Sequence, residues 1–330
     1  IFQQPALMEK NTTFPKPVGF LIAGFQNLQH SEYYFIFLAF VYLGTLAANF
    51  FLMSVIWLSE CLHTPKYLSV FSLSVVDVSI STVLIPKCID FFLFNSRFVL
   101  YDMCIIQMFF FHYFYSLESL SLVVMSYERF VSICFPLRSS TINTNSRMII
   151  IILLCWVFAL AILLASVILI TRLSFCKPIP VIISYFCDHG PVFKMACSDN
   201  TQNWNVAIIY IVSFIFVPLA FIIVSYVCII FALSRIVSAE GKWKAFKTCS
   251  AHLILVAIFF VPVLVTYMIA WVNITIDIDT RILNTSLSAT LPPLLNPIIY
   301  TLKTEEVMEQ VKKLFKRFTT ALRKTRHMKK

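Results

Sequence analysis

Three ionisable side chains, Asp77, Glu118 and Arg129, lie inside long apolar stretches of this chain. A charge at the centre of a bilayer costs roughly 3 kcal/mol or more, so each needs a partner or a purpose. Asp77 and Glu118 fall near the middle of their stretches, and Arg129 falls near the inner end of its own, beside Glu128. Two carboxylates sharing a low-dielectric site do not both ionise; one takes a proton, or a cation sits between them. A sodium or proton site at Asp77 and Glu118, with Asn49 and Asn296 as neutral ligands, is one expectation. A protonated, hydrogen-bonded structural pair is the competing one. Both require the second and third helices to be neighbours.

Cys104, Phe111, Tyr115, Glu118, Leu122 and Arg129 follow one another at spacings of 7, 4, 3, 4 and 7 residues. That is one stripe on a helix of 3.6 residues per turn. Its outer part is aromatic, its middle acidic and its inner end basic. The order predicts an apolar pocket outside, a polar core beneath it and a charged switch at the cytoplasmic face. The plainer reading is a packing stripe with one buried ion pair, such as Glu128 with Arg129. Other chemistries find no support. The five glycines, at 19, 24, 44, 190 and 241, build neither G-x-G-x-x-G nor a Walker loop, and no H-E-x-x-H run occurs.

The elements that hold these residues follow from composition. Of 330 residues, 59% are hydrophobic and 13% charged, with a mean hydropathy of +0.85. A soluble domain carries roughly a quarter charged residues, so this chain cannot cover a water-facing surface. Seven stretches, at 33–58, 67–94, 103–133, 148–170, 206–235, 246–272 and 282–302, reach the roughly 20 residues a spanning helix needs. Spanning strands are disfavoured, because the runs are long and do not alternate. No inverted repeat of the transporter kind is seen. Pro86, Pro218, Pro262, Pro292, Pro293 and Pro297 fall within or at the ends of spans, where they kink helices; kinks suit a bundle that rearranges.

Charge sets the orientation. With the N-terminus outside, 18 of the 26 Lys and Arg face the cytoplasm and eight face out, which the positive-inside rule favours. Ten lie between Lys303 and Lys330, a basic tail suited to the anionic inner leaflet; nucleic acid is disfavoured as a partner. The division is a 1–32 outer tail, a 33–302 helix bundle and a 303–330 cytoplasmic segment. In that segment Val307, Val311, Leu314, Phe315 and Phe318 recur at helical spacing, predicting a short amphipathic helix along the membrane. Asn11-Thr12-Thr13 is a glycosylation sequon on the outer side; Asn273 and Asn284 also begin sequons but hug the membrane. Met8 is a candidate start, with residues 1–7 a fragment boundary, and the first helix is expected to act as the signal anchor. Four of ten cysteines, Cys104, Cys176, Cys187 and Cys197, fall on the oxidising side. They allow three pairings, and at least one bond should tie the 171–205 loop to the third helix.

The run Met125-Ser126-Tyr127-Glu128-Arg129-Phe130-Val131-Ser132-Ile133-Cys134 resembles the M-A-Y-D-R-Y-V-A-I-C signature of vertebrate odorant receptors, which are rhodopsin-like G-protein-coupled receptors. Pro65-Lys66-Tyr67 with Leu73-Ser74 and Asp77, Ser225-Tyr226, Lys244 to Leu253, and Pro293 to Tyr300 match further family segments in order. The resemblance covers about residues 20–318. It implies an all-α membrane protein, a seven-transmembrane helix bundle with its N-terminus outside. It implies a small-molecule odorant bound in the outer half of the bundle, a stimulatory, olfactory-type heterotrimeric G protein, membrane lipid as surroundings, no cofactor and no enzyme activity. The expected location is the plasma membrane of olfactory sensory neuron cilia.

Carried over residue by residue, Glu128 and Arg129 hold the inactive state, while Tyr226 and Tyr300 swing toward the G protein. Asp77, Glu118, Asn49 and Asn296 form the polar core. Cys104 pairs with Cys187, and Cys176 with Cys197. The ligand is expected among Phe111, His112, Tyr115, Ser116, Tyr210, Phe214, Phe260, Val263, Tyr267 and Ser286. Phe111 stands where amine receptors carry an aspartate, so an amine ligand lacks its counter-ion. The chain departs from the family pattern at Glu128 for Asp, Lys66 for Met, Phe259-Phe260-Val261 for F-Y-G, and Ala47-Ala48-Asn49 for a Gly-Asn pair. The Phe260 and Pro262 pattern is similar to a branch common in fish. The rival readings are a non-olfactory rhodopsin-like receptor, which the Lys244–His252 segment disfavours, and an ion-coupled transporter.

Overall fold

Seven long helices carry the chain across the bilayer: α1 (Ser31–Leu58), α2 (Pro65–Phe92), α3 (Tyr101–Cys134), α4 (Asn145–Thr171), α5 (Thr201–Ser234), α6 (Ala239–Trp271) and α7 (Ile278–Lys303). An eighth helix, α8, follows over residues 305–314. This computed structural model describes residues 14–25, 28, 30–235, 238–271, 277–314 and 316; side chains at 239, 244, 245, 248, 269–271 and 303 are not described. Asn11, Asn273, Phe315 and Phe318 therefore lie outside the described residues or side chains.

Six of the seven helices are long and apolar enough to span by composition. The less apolar α7 buries Ser286, Ser288, Thr290 and Asn296 and packs against α1, α2 and α6. Its polar groups face the bundle, which is why its composition departs from that of a lipid-facing span. The opposite case is α4, whose Leu153, Leu154 and Val157 are exposed to the bilayer. Helices α5 and α6 begin at 201 and 239, earlier than the apolar stretches, because helical hydrogen bonding continues into polar flanks beyond the hydrocarbon. An Asp277 side chain caps α7 by accepting from the backbone N–H groups of Asp279 and Thr280.

Two prolines are answered by side chains from other helices. Pro218 cannot donate to the carbonyl four residues back, at Phe214. A π-helical turn spans Val212–Phe216, and the Ser119 hydroxyl of α3 donates to that Phe214 carbonyl at 2.6 Å. Pro297 likewise leaves the Pro293 carbonyl without its helical donor, and the Asn49 amide of α1 donates to it at 2.9 Å.

Outside the membrane a small sheet appears that hydropathy patterning does not predict. Strand β1 (Gly19–Ile22) lies between β2 (Phe98–Leu100), antiparallel, and β3 (Val181–Ile182), parallel. The N-terminal segment thereby ties the first and second outer loops together. Gly24 passes so close to the second loop that a Cβ there would meet the Ser184 carbonyl oxygen at 2.6 Å. Cys104–Cys187 and Cys176–Cys197 are disulfide-paired, with Cα separations of 5.3 and 5.6 Å. Within α8, Val307 is buried, and Val311 and Leu314 pack against the cytoplasmic core.

Candidate functional site

The α3 stripe organises the outer half. Phe111 packs against Phe186 of the second outer loop, with ring centroids 4.3 Å apart, and stacks on Tyr115 at 5.7 Å. Tyr115 in turn contacts Phe259 of α6 at 5.0 Å. Cys187, fixed to the outer end of α3, forces its neighbours over the bundle, so residues 183–186 form a roof. Beneath it is an inner chamber of about 360 Å³, walled by α3, α5, α6 and α7. A second, outer chamber of about 280 Å³ lies between α3, α4, α5 and a helical turn at His189–Lys194. His112, Asp188, Lys194, Tyr210 and Tyr267 line both.

Six of the ten expected ligand residues line the inner chamber: Phe111, His112, Tyr115, Tyr210, Val263 and Tyr267. Four do not. Ser116 is buried behind the wall, donating to the His112 carbonyl at 2.7 Å and lying 3.3 Å from the Tyr210 hydroxyl. Phe214 sits on the π-helical turn and packs toward Phe158 of α4. Phe260 is turned into the core beside Phe259, because α6 presents Val263, Thr266 and Tyr267 to the chamber instead. Ser286 faces α1 and accepts from the Tyr34 hydroxyl at 2.7 Å.

The roof and its polar neighbour Asp188 escaped the sequence-based list, although the position of Cys187 was the signal for them. His112 Nε2 and Asp188 Oδ1 are 3.1 Å apart. Burial alone would raise the Asp188 carboxyl; the hydrogen bond from His112 and the charges of His112 and His189 outweigh it and hold the group below its usual range. This pair joins α3 to the loop and divides the two chambers.

In the polar core, Asn296 donates to both oxygens of Asp77 at 3.0 and 3.1 Å. Both Glu118 oxygens are buried without a hydrogen-bond partner, and Glu118 lies within electrostatic reach of Asp77. Asn49 spends its amide on the Thr45 and Pro293 carbonyls, and its Oδ1 is also unpartnered. The Asn284 amide donates to Thr266 Oγ1 and to the Pro262 carbonyl of α6.

At the cytoplasmic end, Arg129 and Glu128 are 3.6 Å apart with side chains 8% and 10% exposed. Tyr300 contacts Met125 through its hydroxyl. Tyr226 stacks on His252 and sits 2.9 Å from its Nδ1, while His252 Nε2 is 3.1 Å from the Leu122 carbonyl. A carbonyl only accepts, so in the neutral ring Nε2 carries the proton and Nδ1 accepts from Tyr226. His252 thus bridges α3, α5 and α6, a role that the sequence pattern did not assign to it.

Lys66 and Tyr67 of α2 both bond Glu306 of α8, and Lys247 of α6 bonds Glu305 at 2.8 Å. These contacts hold the inner end of α6 to α8 and α2. Ion pairs of this exposure contribute up to about 1 kcal/mol, roughly fivefold in a two-state ratio. Lys66→Glu should raise ligand-free signalling by up to about that factor, and adding Glu306→Lys should return it toward the original level. Basal reporter output normalised to surface expression measures this; no change in either variant would remove the contact from the switch.

A family-level sequence model described as olfactory receptor matches residues 38–317. Among curated relatives, human olfactory receptor 2A12 is 35% identical over 309 residues, covering 93% of this chain and 98% of the relative. Human olfactory receptor 6S1 is 33% identical, covering 91% of each, and mouse olfactory receptor 1E16 is 33% identical, covering 87% and 90%. Among solved structures, squid rhodopsin superposes with a TM-score of 0.68 at 15% identity, over 87% of this chain and 85% of that one, a likeness of fold.

Proposed function

The chain belongs to the olfactory receptor family, and on that premise we propose that its odorant occupies the inner chamber and that its cytoplasmic face activates a stimulatory, olfactory-type G protein. It is an odorant receptor of rhodopsin-like fold, a multi-pass membrane protein that couples to a heterotrimeric G protein, and not an enzyme. What supports the inner chamber as the ligand site is its lining: aromatic and aliphatic side chains of α3 and α6 under the loop roof, with polar groups such as His112, Asp188, Arg281 and Ser288 among them to orient a ligand. A ligand there touches both the static stripe of α3 and the Val263–Tyr267 face of α6. Differential contact with α6 is what shifts a two-state bundle toward the signalling form. Glu128, Arg129, Tyr226 and Tyr300 carry that shift at the inner face. The proposed location is the plasma membrane of olfactory sensory neuron cilia, with Asn11 glycosylated. Co-expression with a stimulatory olfactory-type α-subunit should give odorant-driven cyclic AMP, and an inhibitory α-subunit should not; the reverse result would reassign the partner.

For the polar core, Asp77, Glu118 and Asn296 would hold a sodium ion or share a proton. The unpartnered Glu118 oxygens suit either. Replacing sodium with choline should change the melting temperature of the wild-type protein but not of Glu118→Gln. A melting temperature that ignores sodium yet follows pH would select the shared proton.

A further inference from the structure

The inner chamber holds more positive charge than it answers. Arg281, in the first turn of α7, and Lys194, at the end of the loop turn, both line it. Neither forms an ion pair or a side-chain hydrogen bond among the described residues; Lys194 only stands over the Trp204 ring, at 5.1 Å. Asp277, one turn before Arg281, spends its carboxylate on capping α7. The one carboxylate in the lining, Asp188, is tied to α3 through His112. A neutral donor is also unspent. Tyr185, Tyr210 and Thr266 each donate their hydroxyl to a backbone carbonyl, whereas the Tyr267 hydroxyl of α6 has no hydrogen-bond partner among the described residues. Below these groups the walls are apolar, with Phe111, Val263, Ile282 and Ala289 among them.

We propose that the inner chamber selects apolar-tailed monocarboxylates, with the carboxylate held by Arg281 and Tyr267, the charge of Lys194 assisting, and the tail packed on the apolar walls. This rests on the reading that the odorant occupies that chamber. A carboxylic acid is ionised at neutral pH, and a guanidinium meets its two oxygens with two parallel N–H···O bonds. An alcohol or aldehyde of the same length gains the same apolar contact but only neutral hydrogen bonds, about half as strong. An amine meets two cations and finds Asp188 already engaged. A second carboxylate would be stranded among apolar side chains, so dicarboxylates are excluded. About 360 Å³ is the room of roughly twelve water molecules, so the ligand has on the order of ten non-hydrogen atoms.

The test is a cyclic AMP dose–response of the full chain at the cell surface. The probes are straight-chain carboxylates from butanoate to nonanoate, with heptan-1-ol, heptanal and heptylamine as partners of matched length. Wild type is compared with Arg281→Gln, Arg281→Lys and Val263→Trp at matched surface levels. Arg281 is exposed at the rim, so its replacement leaves the bundle's packing untouched. Expected is a carboxylate at least about tenfold more potent than the alcohol of its length, with heptylamine inactive. Arg281→Gln should weaken the acid roughly ten- to hundredfold and leave the alcohol where it was, and Arg281→Lys should recover part of the loss. Silence to every acid in the series, an acid no more potent than its alcohol, or an acid unaffected by Arg281→Gln overturns the proposal. If alcohol responses meanwhile vanish in Val263→Trp, the chamber remains the ligand site and only its chemistry is reassigned. Acid responses lost in Arg281→Gln but kept in Val263→Trp would remove the chamber itself, and the proposal with it.

Discussion

Replacing Arg129 with Ala should abolish odorant-driven nucleotide exchange on the G protein while leaving odorant binding within about twofold of the original. Arg129 lies on the same α3 stripe as the chamber residues Phe111 and Tyr115, but 18 and 14 residues further along, well away from any ligand. Its guanidinium is almost wholly buried against Glu128, and its Nε has no partner in this state. A buried cation with unused donors is held ready for a different set of acceptors, which here would come from the G protein. Hydrogen bonds to charged groups contribute about 1.5–3 kcal/mol each, so losing them should reduce coupling roughly ten- to hundredfold. The substitution also strands the Glu128 carboxylate without its cation. Nucleotide exchange in membranes, beside a binding assay on the same preparation, measures both. Coupling that survives in Arg129→Ala would remove this residue from the centre of the switch, and binding that collapses with it would point to a folding defect.

The second large effect concerns the roof. Cys104→Ala should cost more than Cys176→Ala, because the bond to Cys187 closes a separation of 83 residues and the bond between Cys176 and Cys197 closes one of 21. Loop-closure entropy gives roughly 4.5 and 3.3 kcal/mol respectively. The first loss also acts on function. Cys187 stands between Phe186, which packs on Phe111, and Asp188, which bonds His112. Without the bond, the roof loses its anchor on α3 and both chambers lose a wall. Expected are low surface expression for Cys104→Ala and, in what reaches the surface, a weakened odorant response. Cys176→Ala should keep more of both. An equal effect of the two substitutions would mean that the sheet joining β1, β2 and β3 holds the roof without the disulfide.

Much of this architecture was legible in the residues, for reasons that can be named. Spans are legible because a bilayer demands long apolar runs, and the six most apolar ones stand out on composition. The seventh was also read from its apolar length, although Asn296 makes it less purely apolar. The α3 stripe was legible because a single helix obeys a fixed period, which put Phe111 and Tyr115 on the face that lines the chamber; His112, one residue off that stripe, lines it as well. The period says nothing of how a neighbouring helix is rotated. That is why Phe260 was expected in the chamber when α6 presents Val263 and Tyr267 instead. Ser286 failed for the same reason, since its partner Tyr34 belongs to α1, far away in sequence. Asn49 could be picked out as a buried amide, but its main task, supplying a donor to the carbonyl that Pro297 leaves bare, depends on where α1 crosses α7. The sheet formed by β1, β2 and β3 was invisible because its strands are two to four residues long and pair across distant loops. Lys66 marked a departure from the family pattern, and only its contact with Glu306 gave that departure a physical meaning.

The account turns on the inner chamber as the place where odorant binding becomes G-protein activation. The most direct test is a cyclic AMP dose–response in cells expressing the chain at the surface with a stimulatory olfactory-type G protein, over a broad panel of volatile and water-soluble odorants. Wild type is compared with Val263→Trp, which fills the chamber, at matched surface levels. The account predicts responses to some odorants in the wild type and loss of those responses in Val263→Trp, with ligand-free output preserved. A surface-expressed wild type that stays silent across the panel, or odorant responses unchanged in Val263→Trp, would contradict it.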